Sequence, residues 1–183
     1  DNIAEDLSKY NNYGTVHGAT WVDGKFGKAL SFDGVDDYVY NGKITPLGQS
    51  FTISFWTYRL GDSATTYAAL MGIDPEDWTP VGGMIIWDNK DGTIALRLRN
   101  ADVNKELWFD VPITNGKWEN FAFTWEKPYA GIYKNGEFYA QEEWNYDVGW
   151  ADFDFYVGQY WVSSRYYGLI DEVRIYNRAL SEE

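Results

Sequence analysis

The sequence predicts an all-β protein that folds as a two-sheet antiparallel β-sandwich. Aromatic residues make up 19% of the 183-residue chain, and 18 glycines are spread along it, as turns between many short strands require. Short runs with alternating polar and apolar residues follow one another between turn residues, which is typical of β-sandwiches. We expect about ten or more strands in a single domain over residues 1–183, present as a module of a longer protein.

Residues 1–27 are rich in Gly and Asn, and we expect them to be mostly irregular. The predicted strands then follow in order: KALSFDG, DYVYNG, SFTISFWTYRL, GGMIIWD, GTIALRLRN, KELWFDVPI, KWENFAFTWE, AGIYKNGEFYAQEEW, FDFYVGQY and YGLIDEVRIYN. In the third of these runs, Phe51, Ile53 and Phe55 share one face, and the opposite face carries Thr52, Ser54 and Trp56.

A hairpin is predicted around the segment NKD. Pairing Asp88 with Gly92 across a three-residue loop gives opposing positions the same parity, so that one face is wholly apolar. That core face carries Met84, Ile86, Ile94, Leu96 and Leu98, and the next strand adds Leu107, Phe109 and Val111. The outer face then carries Ile85, Trp87, Thr93, Ala95, Arg97, Arg99, Glu106, Trp108 and Asp110. Such a face is either covered by a loop or binds a flat ligand.

Charge and composition exclude several classes of function. The formal net charge is −13 and there is no basic patch, so we expect no nucleic-acid partner and no attraction to anionic membranes. An acidic surface is compatible with neutral ligands or cations. The absence of cysteine excludes disulfides, zinc thiolate sites and thiol catalysis. No apolar run is long enough to insert across a membrane.

Six motifs occur in a fixed order along the chain. The opening DLSKYNNYGT fits D-x-S-x-x-x-N-x-G, and it is followed by GKFGKALSFDGVDDYV, FTISFWTY, GKWENFAFTWE, GIYKNGEFY and YGLIDEVRIYNRALSEE. From about Asp6 to Glu183, and weakly between about Gly61 and Asn115, the chain resembles the laminin-G-like branch of the concanavalin A-like lectin/glucanase jelly rolls. The resemblance implies a jelly-roll fold and an extracellular or cell-surface location. It leaves the function open, because the family is attached to glycosidases, sialidases, proteases and adhesins.

The resemblance also implies a structural calcium ion that ties the N-terminal loop to the last strand, with both segments in one sheet. Calcium collects six to eight oxygen ligands. The ligands carried over from the family are Asp6, Asn12, Asp33 and Asp171, with Asp36 as an additional candidate. The alternative is that these side chains only cap turns, because SFDGVDD has good turn chemistry without a metal.

A catalytic function is disfavoured. Retaining glycosidases need two carboxyls about 5–5.5 Å apart, which the catalytic relatives place on one strand at period-two spacing. Asp152 and Asp154 have that spacing, but Tyr156 stands where the next acid would be, and Glu142 and Glu143 are adjacent. The one histidine, His17, lies in the N-terminal segment at a position that is usually structural in the family.

Aromatic residues beyond those needed for the core point to a binding function, because sugar C–H faces stack on aromatic rings. Trp56, Trp118 and Trp125 lie in framework strands, and we assign them to core or sheet packing. The predicted carbohydrate-binding residues are Trp78, Trp87, Arg97, Trp108, Trp144, Trp150, Tyr160 and Trp161. We therefore expect a non-catalytic, lectin-like module that targets a parent extracellular enzyme or surface protein to polysaccharide or glycoconjugate. The alternative is a protein-binding adhesion or spacer module without glycan affinity.

Overall fold

A computed structural model describes residues 2–44, 48, 50–64, 67–73, 83–100, 105–148, 154–160 and 164–181. The regular elements in these ranges are strands. No helix in the described ranges has the length and apolar character needed to cross a membrane. The strands are β1 (Ile3–Ala4), β2 (Gly14–His17), β3 (Thr20–Asp23), β4 (Lys28–Asp33), β5 (Tyr38–Lys43), β6 (Ser50–Arg59), β7 (Tyr67–Ile73), β8 (Gly83–Asn89), β9 (Thr93–Asn100), β10 (Lys105–Pro112), β11 (Trp118–Glu126), β12 (Tyr129–Lys134), β13 (Glu137–Glu143), β14 (Asp154–Val157) and β15 (Tyr167–Tyr176).

The strands form two antiparallel sheets, as predicted. The eight-stranded sheet has the order β1-β2-β5-β14-β7-β8-β9-β10, and the seven-stranded sheet has the order β13-β12-β11-β6-β15-β4-β3. The expectation that the first and last segments share one sheet is wrong for β1 and β2. These strands pair along β5 in the eight-stranded sheet, whereas β15 lies between β6 and β4 in the other sheet.

The core lies between the two sheets, and strand alternation identifies its residues correctly. On β6, Phe51, Ile53 and Phe55 have no more than 1% of their surface exposed. The hairpin register differs from the prediction, because Asp88 pairs with Ile94 rather than with Gly92. Gly92 has φ +80° and donates its N–H to the Asn89 carbonyl, so it belongs to the loop and not to the strand. The difference is two residues, so the predicted faces of β8, β9 and β10 are nevertheless correct.

A buried ion pair joins the two sheets. Arg59 on β6 donates from Nε to both carboxylate oxygens of Asp88 on β8, at 2.8 and 2.7 Å, and each residue is 2% exposed. The same guanidinium donates to Asn115 Oδ1 at 2.6 Å and to Asp62 Oδ1 at 2.8 Å. Burial raises the pKa of the Asp88 carboxyl to about 6, although Arg59 acts in the opposite direction. The contact with Arg59 thus offsets part of the cost of burying this carboxyl group.

Candidate functional site

The residues predicted to bind one calcium ion lie at separate places. Asp6 accepts the Asn12 N–H at 2.7 Å and so closes the N-terminal loop, beside β5 of the eight-stranded sheet. Asp171 is four residues beyond Tyr167, the partner of Asp33, which puts the two aspartates about 13 Å apart along β15. The structure therefore does not form a single site from Asp6, Asn12, Asp33, Asp36 and Asp171, because the N-terminal strands do not pair with β15.

Asp33 and Asp36 do come together, and Asp37 joins them. One carboxylate oxygen from each lies within 4.8 Å of the others. Asp33 Oδ1 accepts the Val35 N–H at 2.8 Å, and Asp37 Oδ2 accepts the Asp33 N–H at 2.9 Å, so two of these carboxylates also cap the turn between β4 and β5. Burial, together with the charges of Asp33 and Asp36, raises the pKa of the Asp37 carboxyl. The three carboxylates supply part of the six to eight oxygens that calcium takes.

Trp87, Arg97 and Trp108 lie together on the outer face of the eight-stranded sheet, where the sequence places them. The two indole rings are 5.2 Å apart, and the Arg97 guanidinium carbon lies 5.4 Å from one ring centroid and 5.8 Å from the other. Tyr67 adds a third ring, 5.5 Å from Trp87. It lies on β7, a strand that the sequence analysis missed. We call Tyr67, Trp87 and Trp108 the aromatic row.

Two of the other predicted binding residues, Tyr160 and Trp144, lie in the described part of the chain. Tyr160 packs against the cluster of Ile85, Trp87 and Ala95 and is partly buried. The prediction for Trp144 is wrong, because the residue is only 3% exposed and belongs to the main core. Its backbone N–H donates to the Pro128 carbonyl. Trp78, Trp150 and Trp161 lie outside the described residues.

A groove of about 480 Å³ crosses the outer face of the seven-stranded sheet. Trp56 is at its centre, on β6, with Asn120 on β11 and Asp171 on β15 as its cross-strand neighbours. The lining residues are Phe26, Thr52, Ser54, Trp56, Asn120, Ala122, Thr124, Tyr133, Gly136, Glu172, Arg174, Tyr176, Leu180 and Ser181. The groove therefore combines aromatic rings with amide, hydroxyl, carboxylate and guanidinium groups.

The polar side chains of the groove are held in position. Asn120 donates from Nδ2 to the Phe55 carbonyl at 2.9 Å and to Ser54 Oγ at 3.3 Å, which orients its amide. A β-bulge between Asp171 and Arg174 leaves Glu172 with φ +51°, a left-handed conformation that is uncommon for a residue other than glycine. Glu172 forms an ion pair with Arg174, and this contact raises the pKa of the Arg174 guanidinium.

Asp171 holds in place the turn that forms one wall of the groove. Its Oδ2 accepts the Phe26 N–H at 2.9 Å and so holds the turn between β3 and β4 against β15. A Cβ on Gly24 would lie 2.6 Å from the same oxygen, so the close approach needs a glycine. The turn places the Phe26 ring edge-on to Trp56, with centroids 5.9 Å apart, and Lys25 Nζ 4.7 Å from the Trp56 centroid.

Trp56 is the main groove residue that the sequence analysis missed, since we assigned it to core or sheet packing. The alternation of β6 already placed it with Thr52 and Ser54, opposite the core face, and this signal could have identified it. Among the described lining residues, Glu172 is the one carboxylate, so they present no carboxyl pair of the kind used in glycoside hydrolysis. His17 stacks on Tyr38 at 4.4 Å, on the other sheet.

Comparisons with known proteins agree with this architecture. No curated protein sequence matches the chain. Among solved structures, it is similar to the binding domain of Paraclostridial Mosquitocidal Protein 1, with a TM-score of 0.76, 21% identity, and coverage of 97% of this chain and 47% of that one. It is also similar to the botulinum neurotoxin serotype G binding domain, with a TM-score of 0.75, 16% identity, and coverage of 97% and 46%. The chain thus spans about half the length of these toxin binding domains.

For a third similar structure, the alignment with this chain covers most of that structure's length. Domain 4 of AbnA, a GH43 extracellular arabinanase from Geobacillus stearothermophilus, in complex with arabinotriose, has a TM-score of 0.71 and 22% identity, with coverage of 92% of this chain and 84% of that one. At these identities, the likeness shows the fold alone. Residues 33–183, most of the chain, match the family described as the concanavalin A-like lectin/glucanases superfamily. With its two-sheet sandwich and this match, the chain belongs to the concanavalin A-like lectin/glucanases superfamily.

Proposed function

We propose that this chain is a non-catalytic, lectin-like module that attaches a parent extracellular enzyme or surface protein to glycans. The observation that carries the proposal is the groove around Trp56. Its rings from Trp56, Phe26 and Tyr133 offer apolar surfaces for the C–H faces of sugars, and the planar groups of Asn120 and Arg174 offer hydrogen bonds to hydroxyls. Ligand sites of this kind are mostly apolar concave surfaces with a few fixed polar groups.

The charges of the groove favour a neutral glycan. Glu172 and Arg174 neutralise each other, and the Asp171 carboxylate is buried against the β3–β4 turn that carries Lys25. A net charge of −13 over the whole chain would also oppose the approach of a polyanion. The arabinotriose complex of the arabinanase domain supports this choice, because that domain shares the fold and carries a neutral sugar. Its extracellular origin supports the proposed location.

Replacement of Trp56 by alanine is expected to weaken glycan binding about tenfold or more, because the ring's apolar contact with sugar is worth about 1.5–3 kcal/mol. The measurement is an oligosaccharide array that includes arabinotriose, followed by titration calorimetry with the strongest glycan. Melting should change little, because Trp56 is only partly buried on the outer face.

Trp118→Ala is the matched control. Trp118 is also a half-buried tryptophan on the seven-stranded sheet, but it packs on Tyr58, at 5.6 Å between centroids, outside the groove lining. We expect this variant to bind as the parent does. Equal losses in both variants, or an array without a bound glycan, would contradict the proposal; the second result would favour the protein-binding alternative.

We also propose that Ca²⁺ stabilises the domain, with Asp33, Asp36 and Asp37 as the residues that could hold it. Binding to the folded state alone should raise the melting midpoint by roughly 5–10 °C when free Ca²⁺ is about a hundredfold above its Kd. The measurement is thermal melting with added Ca²⁺ and with chelator. Asp36→Asn should abolish the difference while it leaves the turn-capping bonds of Asp33 and Asp37 in place. The same midpoint with Ca²⁺ and with chelator in the parent protein would exclude calcium.

A further inference from the structure

We propose that the aromatic row is a second glycan-binding site, and that the domain is therefore bivalent. The row lies on the outer face of the eight-stranded sheet, and the groove lies on the outer face of the seven-stranded sheet. This inference depends on a different set of side chains from the proposed function and can fail independently of it.

The row is an exposed and rigid surface. Tyr67 is 55% exposed and Trp108 is 44% exposed, whereas Trp87 between them is only 8% exposed. The ring centroids are 5.5 Å and 5.2 Å apart, so three neighbouring rings from three strands pack together, with Trp87 beneath the two exposed rings of Tyr67 and Trp108. Arg97 packs against both indoles, and Trp108 Nε1 donates to Glu106 Oε2 at 3.2 Å. A surface held in this way loses little conformational freedom when a ligand binds.

The charges around the row balance, which favours an uncharged partner. Glu106 Oε1 lies 3.8 Å from Arg97 Nη1 and 3.7 Å from Arg99 Nε. Asp110 Oδ1 accepts a hydrogen bond from Asn89 Nδ2 at 3.2 Å. Glu106 thus lies near both arginines, and with Asp110 this face carries two arginines and two carboxylates, so neither a polyanion nor a polycation would gain from approach. The same groups can bond the hydroxyls of a sugar whose ring stacks on Trp108.

The size of the row favours a glycan over a protein. Fully exposed Tyr and Trp side chains each present about 150–250 Å², so Tyr67 and Trp108 together expose roughly 200 Å² at their observed exposures. A specific protein–protein interface buries about 800 Å² on each partner. The row is therefore small for a protein partner and suited to the flat face of one or two sugar rings.

The positions of the two sites require two glycan chains, or two distant stretches of one chain. Trp56 and Trp108 lie on the outer faces of different sheets, and two packed sheets are themselves about 10 Å apart. A short oligosaccharide cannot contact both rings. On a polysaccharide, the two sites would cross-link neighbouring chains and raise the overall affinity without any new contact.

Nuclear magnetic resonance can test the two sites separately through the indole N–H signals, which Trp56→Phe and Trp108→Phe assign. The probes are arabinotriose, xylotriose, cellotriose and 3′-sialyllactose. We expect at least one probe to shift the Trp108 signal saturably, and to do so equally in Trp56→Ala. A Trp56 signal that shifts while Trp108 never does would overturn the second site and leave the proposed function intact. If neither signal moves, both proposals fail.

Bivalency is tested by sandwich capture, in which immobilised arabinan or xylan binds the protein and the protein then retains the same labelled polysaccharide. The polymer used is the one whose trisaccharide shifts Trp56. We expect Trp108→Ala to lower the retained label more than tenfold while it keeps trisaccharide binding at the groove. Tyr139→Ala, which removes a 47% exposed ring on β13, is the control and should not change retention. Unchanged retention in Trp108→Ala would overturn the proposal.

Discussion

Asp88→Ala is expected to destabilise the domain by about 3 kcal/mol, because it leaves a charge buried without its main partner. Arg59 and Asp88 are each 2% exposed and connect the two sheets across the core. Asn115 and Asp62 would still bond the guanidinium, so the loss should not exceed the usual cost of breaking a buried pair. Urea unfolding at pH 7 measures the effect.

Asp62→Ala provides the matched control, because Asp62 bonds the same guanidinium at 2.8 Å but its side chain is 62% exposed. We expect a loss of less than about 1 kcal/mol, since exposed ion pairs contribute little. Equal losses of stability in the two variants would contradict this prediction, because burial of the Arg59–Asp88 pair between the sheets would then make no difference.

Gly158→Ala is expected to cost about 3 kcal/mol through two separate effects. Gly158 has φ +84°, in the left-handed region that disfavours a side chain. A Cβ there would also lie 2.3 Å from two ring atoms of Phe32, which is completely buried. The backbone cannot move away easily, because the Gly158 N–H donates to the Leu70 carbonyl at 2.7 Å. The midpoint of thermal melting measures the loss.

Gly136→Ala separates the two effects. Gly136 has φ +82°, but a Cβ there would meet no atom within 4 Å. Its replacement should therefore show only the backbone cost of about 1 kcal/mol. If both glycine variants lose the same stability, the contact with Phe32 does not contribute.

Most of the aromatic row on the eight-stranded sheet could be predicted from the sequence. The groove on the seven-stranded sheet was less predictable. Period-two alternation places Trp87, Arg97 and Trp108 on one outer face, and the structure brings them together. Alternation also puts Trp56 on an outer face, but a single strand does not reveal that Phe26 packs beside it. That contact depends on the hydrogen bond between Asp171 and the Phe26 N–H in the β3–β4 turn. These two residues are 145 positions apart in the sequence.

Trp144 illustrates a second limit. It follows the edge strand β13, in which nearly every residue is exposed to solvent. The indole is nevertheless buried in the main core. Nothing in its immediate neighbours predicts this, because burial there depends on where the chain turns after β13.

The sequence by itself determined the fold class, the core faces of the strands and the absence of a catalytic carboxylate run, because these depend on the local alternation of side chains along a strand. The tertiary structure decided which strands pair, which acidic residues converge and which rings meet. Strands pair through the same backbone hydrogen bonds whatever their partner, so the order within a sheet is selected by the side chains buried between the sheets. Asp33, Asp36 and Asp37 converge within one turn, whereas Asp6 and Asp171 are held apart by that order.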